Sequence, residues 1–142
     1  MNIEPTYVTF QQAKLLKEKG FDIYTPNAYI KGIFITPEEP QNWNKPKWVF
    51  TKEGFECFGC KLDNIKYFEG FCAPEQWMVI EWLRVRYGIW INVVRTKFTV
   101  ACRYQSYIEE KPLTGSMGGF ISHISPQEAY SAAIDYVLTT LI

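Results

Sequence analysis

The segment from Ala73 to Val94 constrains the fold of this chain more than any other. Between Pro74 and Tyr87, the residues Met78, Val79, Ile80, Trp82, Leu83 and Val85 spread apolar surface around most of a helix. A helix wetted on one side shows a continuous polar face, and little of this segment is left for water. The pattern predicts a central helix from Pro74 to about Tyr87, covered on more than one side. Pro74 suits a first helical turn, whereas Ala73 offers no side-chain cap. Beyond Gly88 the residues Ile89 to Val94 are strand formers.

With 142 residues, the chain is expected to form one domain, 1–142, with an independent core. Hydrophobic residues make up 47% and aromatic residues 17%, enough to offset the entropy of ordering. Fifteen basic residues balance fifteen acidic ones. This disfavours generic nucleic-acid binding, which depends on net positive charge. No apolar run reaches bilayer-spanning length, and the first five residues lack the pattern of a secretory signal. The expected setting is the cytosol, without a membrane partner. The four cysteines then read as reduced thiols.

Two more helices are marked by their caps. Thr9 and Gln12 form a capping-box pair ahead of a helix that ends at Gly20, with Phe21 placed to meet Leu16. Phe10, Ala13 and Leu16 give that helix a narrow apolar face, and Lys17 and Lys19 suit its C-terminal end. Ser125, Pro126 and Glu128 mark the start of a third helix running to about Leu141. Ala129, Ala132, Ala133 and Tyr136 form its packing stripe, extended by Val137 and Leu141.

Strands are expected at Ile30 to Thr36, at Lys47 to Phe50 with Phe55 to Phe58, and at Ile89 to Val94 paired antiparallel with Lys97 to Tyr104. In the last, Phe98, Val100, Cys102 and Tyr104 share one face. Arg95 and Thr96 would form the turn, although they lack Asn-Gly or Gly-Xaa chemistry. Pro37 to Pro46, carrying Trp43, and the Gly-rich Glu109 to Gly119 read as long loops. The fold class is α+β: an antiparallel sheet packed with three helices, because strands and helices do not alternate as in a Rossmann-type sheet.

Three blocks carry a resemblance: Tyr7 to Asp22, Glu75 to Ile91 with its Glu81-Trp-Leu-Arg84 and Tyr87-Gly-Ile-Trp-Ile91 segments, and Ser125 to Ala132. Together they resemble a family of small proteins encoded by tailed phages and prophages of Bacteroidetes-type bacteria. No activity is attached to that family, so no functional residue is carried over. The resemblance implies an accessory phage-type protein acting in a bacterial host cytosol.

Several groups of residues are candidates for chemistry. Cys57-Phe-Gly-Cys60, with Cys72 and the distant Cys102 and His123, has part of a zinc pattern. A second close pair is missing, so core thiols are the preferred reading and no cofactor is expected. Gly115, Ser116, Gly118 and Gly119 could offer backbone N–H groups to an anion, but neither a Walker sequence nor a directly following helix accompanies them. Ser116 and His123 lack an acid partner and a nucleophile elbow. Glu81 and Arg84 are spaced to pair on the central helix. Arg84, Arg95 and Arg103, with Arg86, would make an anion site if the fold gathered them. Trp48, Trp77 and Trp90 are expected in the core, with Trp43 exposed.

The favoured role is a non-catalytic interaction protein that binds, and in a phage setting blocks, a host or phage protein. Abundant aromatics and arginine suit such an interface. The alternative is a small anionic ligand such as a nucleotide signal, held by arginine, aromatic stacking and the Gly-rich loop. A small hydrolase comes last, since no convergent carboxylates or histidine pair appear. Homo-oligomerisation is compatible with each.

Overall fold

Gln12 organises the first helix and joins it to the last. In the computed structural model, α1 spans Phe10–Glu18. The Gln12 backbone N–H donates to Thr9 Oγ1 at 3.2 Å, and the Thr9 N–H donates to Gln12 Oε1 at 2.9 Å, which is the expected capping box. The Gln12 carboxamide is fully buried. Its Nε2 donates to the backbone carbonyl of Ser131 at 3.0 Å and to Ser131 Oγ at 2.9 Å. At its other end α1 closes as a Schellman motif. Gly20 takes φ +81°, Phe21 N–H donates to Leu16 O and Gly20 N–H to Lys17 O.

The structure describes residues 5–23, 25, 27–36, 47–51, 54–58, 67–68, 70–96, 103–114 and 121–142, the strands between 47 and 68 by their backbone. Among the described residues, nine strands form three antiparallel sheets. The first sheet contains β1 (Ala28–Ile30), β2 (Ile33–Ile35) and, later in the chain, β6 (Gly70–Cys72), in the order β2-β1-β6. The single strand expected over 30–36 is instead this β1–β2 hairpin. Lys31 and Gly32 both take positive φ, 51° and 77°, the primed-turn geometry that matches strand twist. The second sheet contains β3 (Lys47–Thr51), β4 (Gly54–Phe58) and β5 (Tyr67–Phe68).

The second helix, α2 (Gln76–Tyr87), has no side-chain cap. The N-terminal segment supplies an acceptor in its place. Gln76 N–H donates to Thr6 O at 2.8 Å and Val8 N–H to Pro74 O at 3.0 Å, so 6–8 runs alongside 74–76. Gly88 ends α2 at φ +71°. Gln76, Val79, Trp82 and Leu83 are buried. Full burial of Val79 and Leu83 stabilises the fold by roughly 1.5–3 kcal/mol each. The opposite face is open, as its exposed Trp77 and Val85 show, so α2 is less enclosed than the expected cover on more than one side.

The third sheet follows, with β7 (Ile91–Thr96), β8 (Arg103–Ile108) and β9 (Lys111–Pro112). The antiparallel pair is present, but Arg95 and Thr96 lie within β7, opposite Tyr104 and Arg103. The β-branched Thr96 suits an extended strand, and neither residue supplies turn chemistry. Residues 97–102, including Phe98, Val100 and Cys102, lie outside the described part. The expected loop from Glu109 contains a two-residue turn, β9 and a bridge at Thr114, and Gly115 to Gly119 lie outside the described residues.

The last helix, α3 (Pro126–Tyr136), is capped by Ser125 Oγ, which accepts from Glu128 N–H at 3.2 Å. Glu128 Oε2 accepts from Ile124 N–H, one residue ahead of the cap, so the reciprocal half of the box is displaced. From Val137 to Leu141 the helix widens into a π-helical turn, where Thr139 Oγ1 donates to Asp135 O at 2.7 Å. Ala129, Ala133, Ile134, Val137 and Leu138 are buried, whereas Tyr136 and Leu141, expected in the stripe, are exposed. One hydrophobic cluster joins Leu16 of α1, Leu83 of α2, Ile91 and Ile108 of the third sheet, and Ile134 and Leu138. This is an α+β arrangement with three helices, as expected, though its strands form three small sheets.

Two substitutions test these junctions. Gln12→Ala removes the side-chain half of the capping box and the bonds to Ser131, and is expected to lower unfolding free energy by about 2–4 kcal/mol, against about 1 kcal/mol for Thr9→Ala. Urea denaturation midpoints read the difference, and equal losses would show that the Ser131 bonds contribute nothing. Gly88→Ala should cost about 1 kcal/mol. That cost is conformational alone, because a Cβ there meets nothing within 4 Å.

Candidate functional site

The spacing of α2 places Trp77, Glu81, Arg84 and Val85 on one outer stripe, at intervals of three and four residues. Val85 is 70% exposed, Trp77 61% and Trp90, just beyond the helix, 54%. Trp77 and Trp90 were expected in the core. Instead, Val79, Leu83 and Trp82 fill the inner face, where Trp82 meets Phe21 and Tyr87 edge-on at 5.3 Å between ring centroids.

The exposed rings are held in place by polar partners. Trp77 Nε1–H donates to Glu75 Oε2 at 2.6 Å. Arg84 Nε donates to Glu81 Oε2 at 2.9 Å and its Nη2 to Glu81 Oε1, a two-point pair. The Arg84 guanidinium lies 5.2 Å from the centroid of the Trp90 ring, within cation–π range. Trp90 N–H donates to Glu109 Oε1 at 2.8 Å, and Glu109 N–H returns to Trp90 O at 3.1 Å. Glu109 and Glu110 both have positive φ, 51° and 64°. Non-glycine residues hold that conformation at a cost, so the turn bracing Trp90 stores local strain.

The hydrogen bond from Arg84 holds the Glu81 carboxyl below its ordinary range, and the same pairing raises Arg84. The chemical outcome is a strip with large apolar surface and a neutralised ion pair. Among the described residues, the spacing of Glu81 and Arg84 was the available sequence signal. It marks the wet side of α2, and Trp77 and Val85 lie four residues either side of Glu81.

The remaining candidates are dispersed. Arg86 and Arg103 are exposed. Because Arg95 opposes Tyr104 and Thr96 opposes Arg103, Arg95 and Arg103 point to opposite faces of the third sheet. The three arginines therefore do not gather into one site. Arg95 does share a row with His123, which bridges to Tyr104 through paired backbone bonds of 2.9 and 2.8 Å. Trp43, Ser116, Gly115, Gly118, Gly119 and Cys60 lie outside the described residues. Cys57 lies on β4, with its side chain outside the described part. Cys72, in β6, is partly buried, and burial pushes its thiol above the ordinary range against the opposing effect of a hydrogen bond with Thr25. Among the described residues, no group of three or more His, Cys, Asp or Glu side chains is placed to hold a metal ion. No helix among them is long and apolar enough to cross a membrane.

Glu81 sets an acid limit on the ordered strip. A carboxyl with a depressed folded-state pKa stabilises its pairing above the unfolded value and loses that contribution as pH falls through the depressed one. The Arg84 Nε–H and Trp90 indole resonances should therefore hold steady at neutral pH and move together in acid, below the ordinary carboxylate range. Glu81→Gln should abolish that coupled step; its persistence would assign the transition to another group.

No family model, curated protein or solved structure matches this chain.

Proposed function

We propose that this chain is a non-catalytic interaction protein that docks a partner protein on the outer stripe of α2. The observation carrying this reading is the exposure of Trp77, Val85 and Trp90 along one braced strip. Trp and Arg are the side chains most enriched among binding hot spots. A buried Trp contributes on the order of 150–250 Å² of contact area. Rings already partnered by Glu75 and Arg84, with the Trp90 backbone bonded to Glu109, lose less conformational entropy on binding, which favours affinity. The Glu81–Arg84 pair beside them supplies polar register. The phage-type resemblance makes a host protein the first partner class to test, with blockade of that protein as the biological outcome.

Tagged wild-type protein and a Trp77→Ala/Trp90→Ala variant, presented to host lysate and read by quantitative mass spectrometry, test the reading. A shared partner should be recovered at least about tenfold less by the variant, since hot-spot losses reach 2 kcal/mol or more. Both positions are exposed, so circular dichroism should show an unchanged fold. Identical recovery by the two proteins would remove the strip from any docking role. Light scattering that shows a wild-type dimer and a variant monomer would assign the strip to a second copy of the chain, and the host-partner reading would fall.

A further inference from the structure

The α2 strip holds more negative charge than positive. Glu75 Oε2 accepts the Trp77 indole N–H, Glu109 Oε1 accepts the Trp90 backbone N–H, and Glu81 stands between them on the outer stripe of the helix. Arg84 is the cation of the set, and Glu81 holds it through both carboxylate oxygens. Among the described residues, no ion pair joins Glu75 or Glu109 to a cation. Arg86 projects half a turn round the helix from Trp77. Lys111 sits opposite Ile108, on the sheet face that Ile91 shares, and not beside the exposed Trp90. The strip therefore carries an unpaired carboxylate at each tryptophan.

The two rings differ in one respect. Trp90 already has a cation against it, the Arg84 guanidinium at 5.2 Å from the ring centroid, itself held by the Glu81 carboxylate. Trp77 has a ring and a carboxylate without the cation. The other cations placed over rings among the described residues belong to Phe10 and Phe71. Tryptophan offers the strongest π face for a cation, and Glu75 fixes negative charge at the edge of this one. A carboxylate has about four acceptor sites, and the indole bond occupies one of them. A guanidinium matches both features, because its plane stacks on an aromatic face while its N–H fork reaches a carboxylate. An ammonium matches only the charge. An acidic segment docked here would set like charges against Glu75 and Glu109.

We infer that the partner segment covering the strip is cationic and apolar, with an arginine that stacks on Trp77 and donates to Glu75. It repeats, between two molecules, what Arg84 does with Trp90 and Glu81 within one. The inference rests on the docking reading above and adds the chemistry of the partner to it.

A displayed library of random 12-residue peptides, selected on the wild-type protein and counter-selected on Trp77→Ala/Trp90→Ala, tests the inference. Strip-dependent binders should carry arginine beside apolar residues, above its frequency in the starting library. One binder is then synthesised with arginine and again with citrulline, a neutral urea of the same shape. Fluorescence anisotropy should show about fivefold weaker binding of the citrulline peptide, the loss expected for an exposed cation–π contact with its ion pair. Glu75→Gln keeps a carbonyl acceptor for the Trp77 indole N–H and removes the charge. Because the Glu75 side chain makes no capping bond, the start of α2 is unaffected. This variant should bind the arginine peptide about threefold less tightly and reduce the gap between the two peptides. Strip-dependent peptides without an arginine excess, or equal binding of the arginine and citrulline forms, would overturn the inference and leave docking on the strip intact. A selection yielding no peptide that distinguishes the wild type from the double variant would remove the docking reading, and this inference with it.

Discussion

A single buried carboxamide ties the two ends of this fold together. Gln12 Oε1 accepts the Thr9 N–H that the start of α1 leaves unpaired, while Nε2 reaches two oxygens of Ser131 on α3. Each half of the group depends on the other. The cap sets the side chain's direction, and the bonds to Ser131 supply partners for a donor that would otherwise be buried unpaired. With α1 and α3 docked in this way, Leu16 and Ala13 meet Ile134, Val137 and Leu138 in the cluster against which α2 and the third sheet close.

The second constraint is the pairing of 6–8 with 74–76. A helix start without a side-chain cap leaves N–H groups in need of acceptors. Here Thr6 O accepts from Gln76 N–H, and Gln76 Nε2 in turn donates to Gln127 O at the start of α3. These bonds orient α2 with Val79 and Leu83 inward. The same rotation turns Trp77 and Val85 outward, so the exposed strip is a direct consequence of how the inner face is secured. Aromatic surface left in water by a helix whose opposite side is fully packed has a physical explanation when it serves a partner.

Legibility varied with the range of the interaction responsible. The Thr9–Gln12 box, the Gly20 and Gly88 stops, the Ser125 cap and the Glu81–Arg84 pair were readable, because each is closed within a few residues. The Lys31-Gly32 turn was local too, but the apolar run around it masked the positive-φ signal of Gly32. Arg95 and Thr96 were misplaced because no sequence feature marks where β7 ends. The burial of Trp77 and Trp90 was misjudged on composition: aromatic residues are usually inside, yet this core was already filled by Trp82, Phe21 and aliphatic side chains.

Sequence alone determined the identity of the three helices, the caps of the first and third, the glycine stops of the first and second, and the α+β class, since side chains one turn apart encode these directly. The tertiary structure decided which face of α2 is wet, which acceptor serves its uncapped start, and which side chains share the row with His123. Those outcomes depend on partners distant along the chain: Thr6 for Gln76, Ser131 for Gln12, and Arg95 and Tyr104 for His123. Local propensity contains no information about such partners, because docking and strand register are set by how the whole core closes.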